Sequence, residues 1–600
     1  MAVLTLQQTF DLAGQYQRSG KLAEAETLYR QLLTWEPNNP DLLNMLGLVA
    51  HQRGALDSAI EWQQRAIAVH PTAPSFHNNL GNVLQDQGRL AEAIACYRRA
   101  VELGPQLAQP LNNLGAALTA HGSLEEAAAV CEQAIRLDPS MPEAYTNLAV
   151  ALQGLGKLED AIALYQLAAD LPNHFPGLAD NYLAALQYRP GITLRQLHAM
   201  HLIYEERYAR GLRSAWQPHA DSRDPGRVLR LGFISPHFHS HPVGRFIVRL
   251  FENLDRARFQ VVCYTDTTRT DAMTERLRAA VAEWNDVRLL SDEALASRVR
   301  GDRIDILFDL AGHTPGNRLL VLARKPAPVQ ITWLDYVGTT GLSAIDYILA
   351  DPRQIPEEAG PWYSEKVLRL PDDYICFDPP AEAPPVGPLP AAANGFITFA
   401  SFNIVSKTSG PTIALWSRIL RRLPTSRLII KNKGFEGARL QADIHQLFAQ
   451  ESVDPARIEF RGPSPQAEFL ASYGDADIAL DTFPYNGGLT TCEALWMGLP
   501  VVSCAGETFA GRHGLAHLTA AGLPEWVAAD FDAYVDLAVA LASDLDHLSQ
   551  VRAGLRARVA ASPLCDGPRF AGNFATLMET AWQRWCDQTA GQKMTPFRNA

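Results

Sequence analysis

From residue 6 to about 175, apolar positions recur in paired helical stretches, and the whole pattern returns every 34 residues. Gly20, Gly54, Gly88, Gly122 and Gly156 mark the register. Leu22, Leu56, Leu90, Leu124 and Leu158 follow two positions later, and Ala25, Ala59, Ala93, Ala127 and Ala161 five positions later. Glycine permits the turn between antiparallel helices, alanine permits their close approach, and Pro37, Pro71, Pro105 and Pro139 end each unit. This tetratricopeptide spacing predicts five helical pairs and a sixth first helix near Leu178 to Leu186, together an α-solenoid over residues 6–190.

The periodicity then changes. Thr193 to Leu212 reads as one amphipathic linker helix, and the polar stretch Gln217 to Arg227 completes a linker over residues 191–227. Beyond it, short apolar runs alternate with helical stretches. Val228–Ile234, Phe259–Tyr264, Ile304–Leu310, Val329–Leu334 and Ile345–Leu349 fall within 228–378. Phe396–Phe402, Arg427–Lys431, Ile458–Phe460, Asp477–Leu480 and Val501–Cys504 fall within 395–590, which ends in a helical tail from Phe570 to Trp585. Strands separated by helices predict two parallel, Rossmann-like sheets. Residues 379–394, rich in proline, predict an irregular surface connection between them. Ligands of such sheets gather beyond the carboxyl ends of the strands, so the loops there are the ones to search.

Three of those loops carry chemistry. Asp475 to Gly506 reads as strand, glycine-bearing loop, helix and strand. Gly487 and Gly488 feed a helix that begins near Thr490, and Glu493 lies where the helix dipole favours a carboxylate. Such a loop is either a phosphate cradle or a tight turn. Lys407 stands just past a strand end and is a candidate to neutralise a diphosphate. His237, His239 and His241 alternate in a third loop. With no carboxylate or cysteine beside them in sequence they point to acid–base or hydrogen-bonding work rather than to a metal. Gly312 and His313 begin a further loop, expected to help enclose a bound ligand.

Composition narrows the choice. A net charge of −12 with no basic tract excludes nucleic acid as the main partner. The N-terminus lacks the apolar core of a signal peptide, and no run is long enough to span a membrane, which predicts a soluble cytoplasmic protein with no membrane partner. Eight scattered cysteines without a CxxC pair suggest neither zinc nor disulfides.

FDLAGHT (Phe308 to Thr314), RKPAPVQITWLDYVGTTG (Arg324 to Gly341), FASFNIVSK (Phe399 to Lys407), AGETFAGR (Ala505 to Arg512) and the Asp475 to Gly506 stretch resemble the O-GlcNAc transferase and SPINDLY family. The likeness covers nearly the whole chain. It implies a solenoid followed by a GT-B pair of Rossmann-like lobes, and inverting, metal-independent transfer of one sugar from a nucleotide sugar to Ser or Thr of a protein, with no cofactor. It implies Lys407 as the catalytic cation and His241, in the family's His-Pro pair, as proton acceptor. Asn403, Phe469, Gly487, Gly488, Thr490, Thr491, Glu493 and His313 would hold the nucleotide sugar. Asn79, Asn113, Asn147 and Asn181, again 34 apart, would bind peptide backbone along the concave face.

Departures from the family keep the donor open. Thr491-Cys492-Glu493 is nearer the SPINDLY branch, Phe469 stands where a histidine is expected, Gln466 replaces a lysine, and Ile404 replaces a glutamine. UDP-GlcNAc is the preferred donor and GDP-fucose the alternative. A scaffold with inactive lobes is a reading of another class, and a homodimer is compatible with any of them.

Overall fold

All five register glycines adopt left-handed backbone, with φ between +74° and +101°. That conformation disfavours any residue with a Cβ, and it turns each helix into its antiparallel partner. The pairs are Leu6–Arg18 with Leu22–Trp35, Pro40–Gln52 with Leu56–Val69, Pro74–Asp86 with Leu90–Leu103, Ala108–His121 with Leu124–Leu137, and Pro142–Gly154 with Leu158–Ala169. The five register alanines are fully buried. A Cβ on Gly81 would lie 2.6 Å from the Tyr97 ring. Gly81→Val is therefore expected to cost about 1–3 kcal/mol by overpacking, read as earlier loss of helical circular dichroism in urea.

The computed structural model describes residues 5–219, 222–267 and 269–587, and the chain divides into two units, 1–178 and 179–600. Within the first, the periodic asparagines bond across repeats. Asn79 Nδ2 donates to Asn44 Oδ1 at 2.9 Å, Asn113 Nδ2 to Asn78 Oδ1 at 2.9 Å and Asn147 Nδ2 to Asn112 Oδ1 at 2.8 Å. These amides tie each repeat to the one before, which leaves a reduced hydrogen-bonding capacity for a guest peptide. Asn181 belongs to the second unit.

The second unit is built on two parallel sheets. The first has seven strands: β1 (Leu229–Ser235), β2 (Phe259–Thr265), β3 (Glu283–Asp286), β4 (Ile306–Asp309), β5 (Val329–Thr332), β6 (Tyr347–Ala350) and β7 (Lys366–Arg369), in the order β3-β2-β1-β4-β5-β6-β7. The second has six: β8 (Thr398–Ser401), β9 (Arg427–Lys431), β10 (Ile458–Arg461), β11 (Ile478–Leu480), β12 (Val501–Cys504) and β13 (Val527–Ala528), in the order β10-β9-β8-β11-β12-β13. The order reverses at β1 and β4 in one sheet and at β8 and β11 in the other. Crevices open at such switch points. The long helix Gly567–Asp587 crosses back to the first lobe, where Phe574 packs on Phe308 at 5.5 Å.

Two expected connections prove to be built into the core. The supposed linker helix is an α-helix Leu194–Tyr204 with a Thr193 capping box, continued by a π-helical turn Glu205–Ala209 and a 3-10 turn Arg210–Ala215. Its His201, Tyr204 and Ala209 are buried. His201 Nδ1 donates to Leu197 O at 2.6 Å and its Nε2 accepts the Tyr336 hydroxyl at 2.7 Å, while Gln187 Nε2 donates to that hydroxyl at 3.0 Å. Burial holds His201 down to about 3, so the ring is neutral. The proline-rich connection ends in a helical turn, Pro390–Asn394, with Leu389 and Ala391 buried. Asp477 secures it by accepting from Ala391 N at 2.9 Å and Thr398 N at 2.8 Å. Among the described residues no helix is long and apolar enough to cross a membrane.

Candidate functional site

Asp481, the first residue after β11, shapes the glycine loop. Its Oδ1 accepts from Thr482 N at 2.9 Å and from Gly487 N at 2.6 Å, and its Oδ2 accepts the Ser503 hydroxyl at 2.6 Å. One buried carboxylate thereby curls six residues into a closed loop and delivers the chain to helix Leu489–Trp496. A Cβ on Gly487 would lie 2.6 Å from Thr491 Oγ1 and 2.7 Å from Thr490 Oγ1, so only glycine fits. The threonine hydroxyls are already engaged: Thr490 Oγ1 donates to Asn403 Oδ1 at 3.0 Å, and Thr491 Oγ1 to Gly487 O at 2.9 Å. What the helix start offers an anion is its backbone N–H groups.

Lys407 faces this loop from the end of β8. Its Nζ donates to Asn486 O at 2.7 Å and lies 3.9 Å from the centre of the Tyr485 ring. Burial pulls the ammonium down to about 8 against the opposing pull of Asp481. Tyr485 in turn stacks on Tyr188 at 4.9 Å. A half-buried cation, satisfied by one carbonyl and one ring face, beside unpaired N–H groups can take up an anion such as a diphosphate.

The remaining donor-side residues are placed as follows. Phe469 is half-buried, edge-on to Phe402 at 5.5 Å and to Tyr473 at 5.8 Å, with Lys431 Nζ 5.8 Å from its ring. Glu493 lies beyond the first helical turn, which corrects the dipole argument for it. It is buried, accepts from Gln466 Nε2 at 2.9 Å and is pushed up to about 7 by loss of solvent. Gln466, the departure at the expected lysine, is thus the partner of Glu493.

The opposite wall is the first lobe. His241 caps helix Pro242–Asn253, its Nδ1 accepting from Val243 N at 3.3 Å. A backbone N–H can only donate, so the ring proton of neutral His241 sits on Nε2. His237 stacks on it at 4.0 Å, and Asp335 Oδ2 lies 3.4 Å from His237 Nε2 and accepts the Thr314 hydroxyl at 2.9 Å. The expectation that no carboxylate accompanies the histidines is corrected here, because the loop after β5 brings Asp335 in from far along the chain. The three residues offer ligand-type atoms within 4.8 Å of one another. With its proton on Nε2, His241 presents a hydrogen-bond donor to this group. Burial drives His241 down to about 3 and His237 to about 4, and raises Asp335 to about 7.

His313 does not line the crevice. It is fully buried, with Nδ1 2.7 Å from Asp180 Oδ1 and Nε2 2.8 Å from Thr340 O. Both nitrogens are taken up by these inward partners, and neither faces the crevice. Thr339 and Thr340 in the neighbouring loop are likewise committed to Glu365, Thr339 Oγ1 at 2.6 Å and Thr340 N at 2.8 Å. Asp309 at the end of β4 accepts from Ala311 N at 3.1 Å, Gly312 N at 2.9 Å and the Thr332 hydroxyl at 2.9 Å. These loops build the wall with these side chains buried within it. Asp481, Tyr485 and Tyr188 were given no role by the sequence reading, and Asp335 entered it only as the start of a glycine and threonine loop at a strand end. Asp481 and Asp335 carried a signal, each as the residue that follows an apolar run.

Residues 171–380 and 389–574 match the model described as glycosyl transferase family 41, which is more than half of the chain. The chain belongs to glycosyl transferase family 41. Ahead of that family domain, residues 10–74, 78–142 and 118–180 match tetratricopeptide repeat models. Among its relatives is the probable UDP-N-acetylglucosamine–peptide N-acetylglucosaminyltransferase SPINDLY of Petunia hybrida, 38% identical over 415 residues, or 68% of this chain and 44% of that protein. The Arabidopsis thaliana SPINDLY protein is 40% identical over 372 residues, covering 61% of this chain and 40% of its own. The chain thus spans under half the length of these curated relatives. A solved lysine-to-methionine mutant of Thermobaculum terrenum O-GlcNAc transferase superposes with a TM-score of 0.81 at 33% identity, covering 86% of this chain and 98% of its own. This family 41 chain therefore has the GT-B arrangement of two Rossmann-like lobes behind a repeat arm.

Proposed function

We propose that this chain transfers one sugar from a nucleotide sugar to a Ser or Thr hydroxyl of a protein, with inversion and without a metal. The observation that carries the reading is Lys407, half-buried over Tyr485 beside the N–H groups of a helix that only Gly487 lets approach. The leaving diphosphate needs charge neutralisation as the glycosidic bond breaks, and a preorganised cation with amide donors supplies it. UDP-GlcNAc is the preferred donor, supported by the names of the relatives. GDP-fucose is the second reading, favoured by Gln466 being held by Glu493. Protein acceptors reach the crevice with the help of the repeat arm, and eight free thiols suit a reducing cytoplasm.

Calorimetry with UDP and GDP in parallel tests the proposal. One of the two is expected to bind, and its sugar nucleotide to support transfer to protein at a rate that EDTA leaves unchanged. Binding of neither nucleotide would instead favour an inactive scaffold.

A further inference from the structure

The crevice needs a group that takes the proton of the attacking hydroxyl, and the histidine expected to do so is already committed. Val243 N occupies the one lone pair of neutral His241, whose other nitrogen carries hydrogen. We propose that Asp335 takes the proton from the acceptor hydroxyl, with His241 acting as a hydrogen-bond donor. This rests on the transferase reading.

Four observations carry it. Asp335 follows β5 at the carboxyl edge of the sheet, where ligands of such folds gather. Thr314 and His237 both lie against its Oδ2, which fixes the carboxylate, while among the described residues Oδ1 accepts no hydrogen bond. Its side chain keeps 14% of its surface open, so an incoming hydroxyl can reach it. And, while burial is the main cause that raises the Tyr188 and Tyr485 phenols, Asp335 lies close enough to add to both, which puts it in the crevice that holds Lys407. The titratable and charged groups facing it are His237 and His241 from the β1 loop, Asp309 from the end of β4, Tyr188, and Tyr485 with Lys407 across the crevice. Of these groups, Asp335 joins an acceptor atom with no hydrogen bond to a conjugate acid weak enough to hold a proton near neutrality.

The step balances. The hydroxyl oxygen bonds to the anomeric carbon, the bond from that carbon to the diphosphate breaks, and its electron pair leaves with the diphosphate beside Lys407. The hydroxyl proton passes to Asp335 Oδ1 and then to water.

Asp335→Asn is expected to lower kcat about 100-fold or more, with UDP or GDP affinity by calorimetry at the wild-type value as the check on folding. Asp335→Glu, which keeps a carboxylate, should recover part of the rate. The wild-type rate should rise as pH increases through about 7. That limb should persist in His241→Asn, which can still cap the helix, and vanish in Asp335→Asn. Wild-type turnover in Asp335→Asn, or a limb that disappears with His241 instead, overturns the assignment. Absence of transfer by the wild-type protein would remove the transferase reading itself, a separate outcome.

Discussion

Lys407→Ala is expected to reduce sugar transfer by about 10²–10³-fold, the usual effect of removing one preorganised charge-stabilising group. The fold should survive. Lys407 is held at about 8, below the ordinary lysine value, by burial. Below pH 8 it is charged in the folded and unfolded states alike, and the burial cost is present in full. That cost is relieved as pH rises from about 8 towards the unfolded value. At pH 7 the alanine variant should therefore melt no earlier than the wild type while releasing little nucleoside diphosphate. The same titration predicts that nucleotide affinity is highest below pH 8 and falls above it, and that the alanine variant loses this slope. Calorimetry at pH 7 and pH 9 measures it, and wild-type turnover in the variant would sink the mechanism.

The second large effect is expected at Asp481. Asp481→Ala strips partners from Thr482 N, Gly487 N and the Ser503 hydroxyl, all in a buried setting. Each orphaned group costs about 1–3 kcal/mol, so a total loss of about 3 kcal/mol or more is reasonable after relaxation. Donor affinity should fall with it, because the loop no longer brings Gly487 to the helix start. Asp481→Asn keeps one acceptor and should lose less on both counts. Thermal melts and nucleotide calorimetry distinguish them; equal loss in the two variants would mean that the negative charge, and not the hydrogen-bond geometry, holds the loop.

The repeat was legible because a solenoid writes its register into every unit: the glycine that turns Gly88 to φ +82° recurs at each turn. The central strands were legible because both faces are covered and the sequence there is continuously apolar. The edge strands β3, β7 and β13 were not, since two are only partly buried and the third is two residues long. At the site, Lys407 and Gly487 stood out because they belong to local motifs. Asp335 and Tyr188 did not, because their meaning depends on neighbours far away in the chain. His313 shows the converse: a motif residue at a strand end whose two nitrogens turn inward to Asp180 and Thr340.

That inward turn bears on how the enzyme can be cut. Asp180 holds both His313 and Asn317, Gln187 holds Tyr336, and Tyr188 stacks on the ring beneath Lys407. A fragment trimmed to start at residue 191, where the repeats end on paper, would leave these three anchors behind and unpair a buried imidazole. Grafting a foreign repeat arm onto these lobes requires that the seam fall upstream of Asp180, so the last helix of the arm travels with the catalyst.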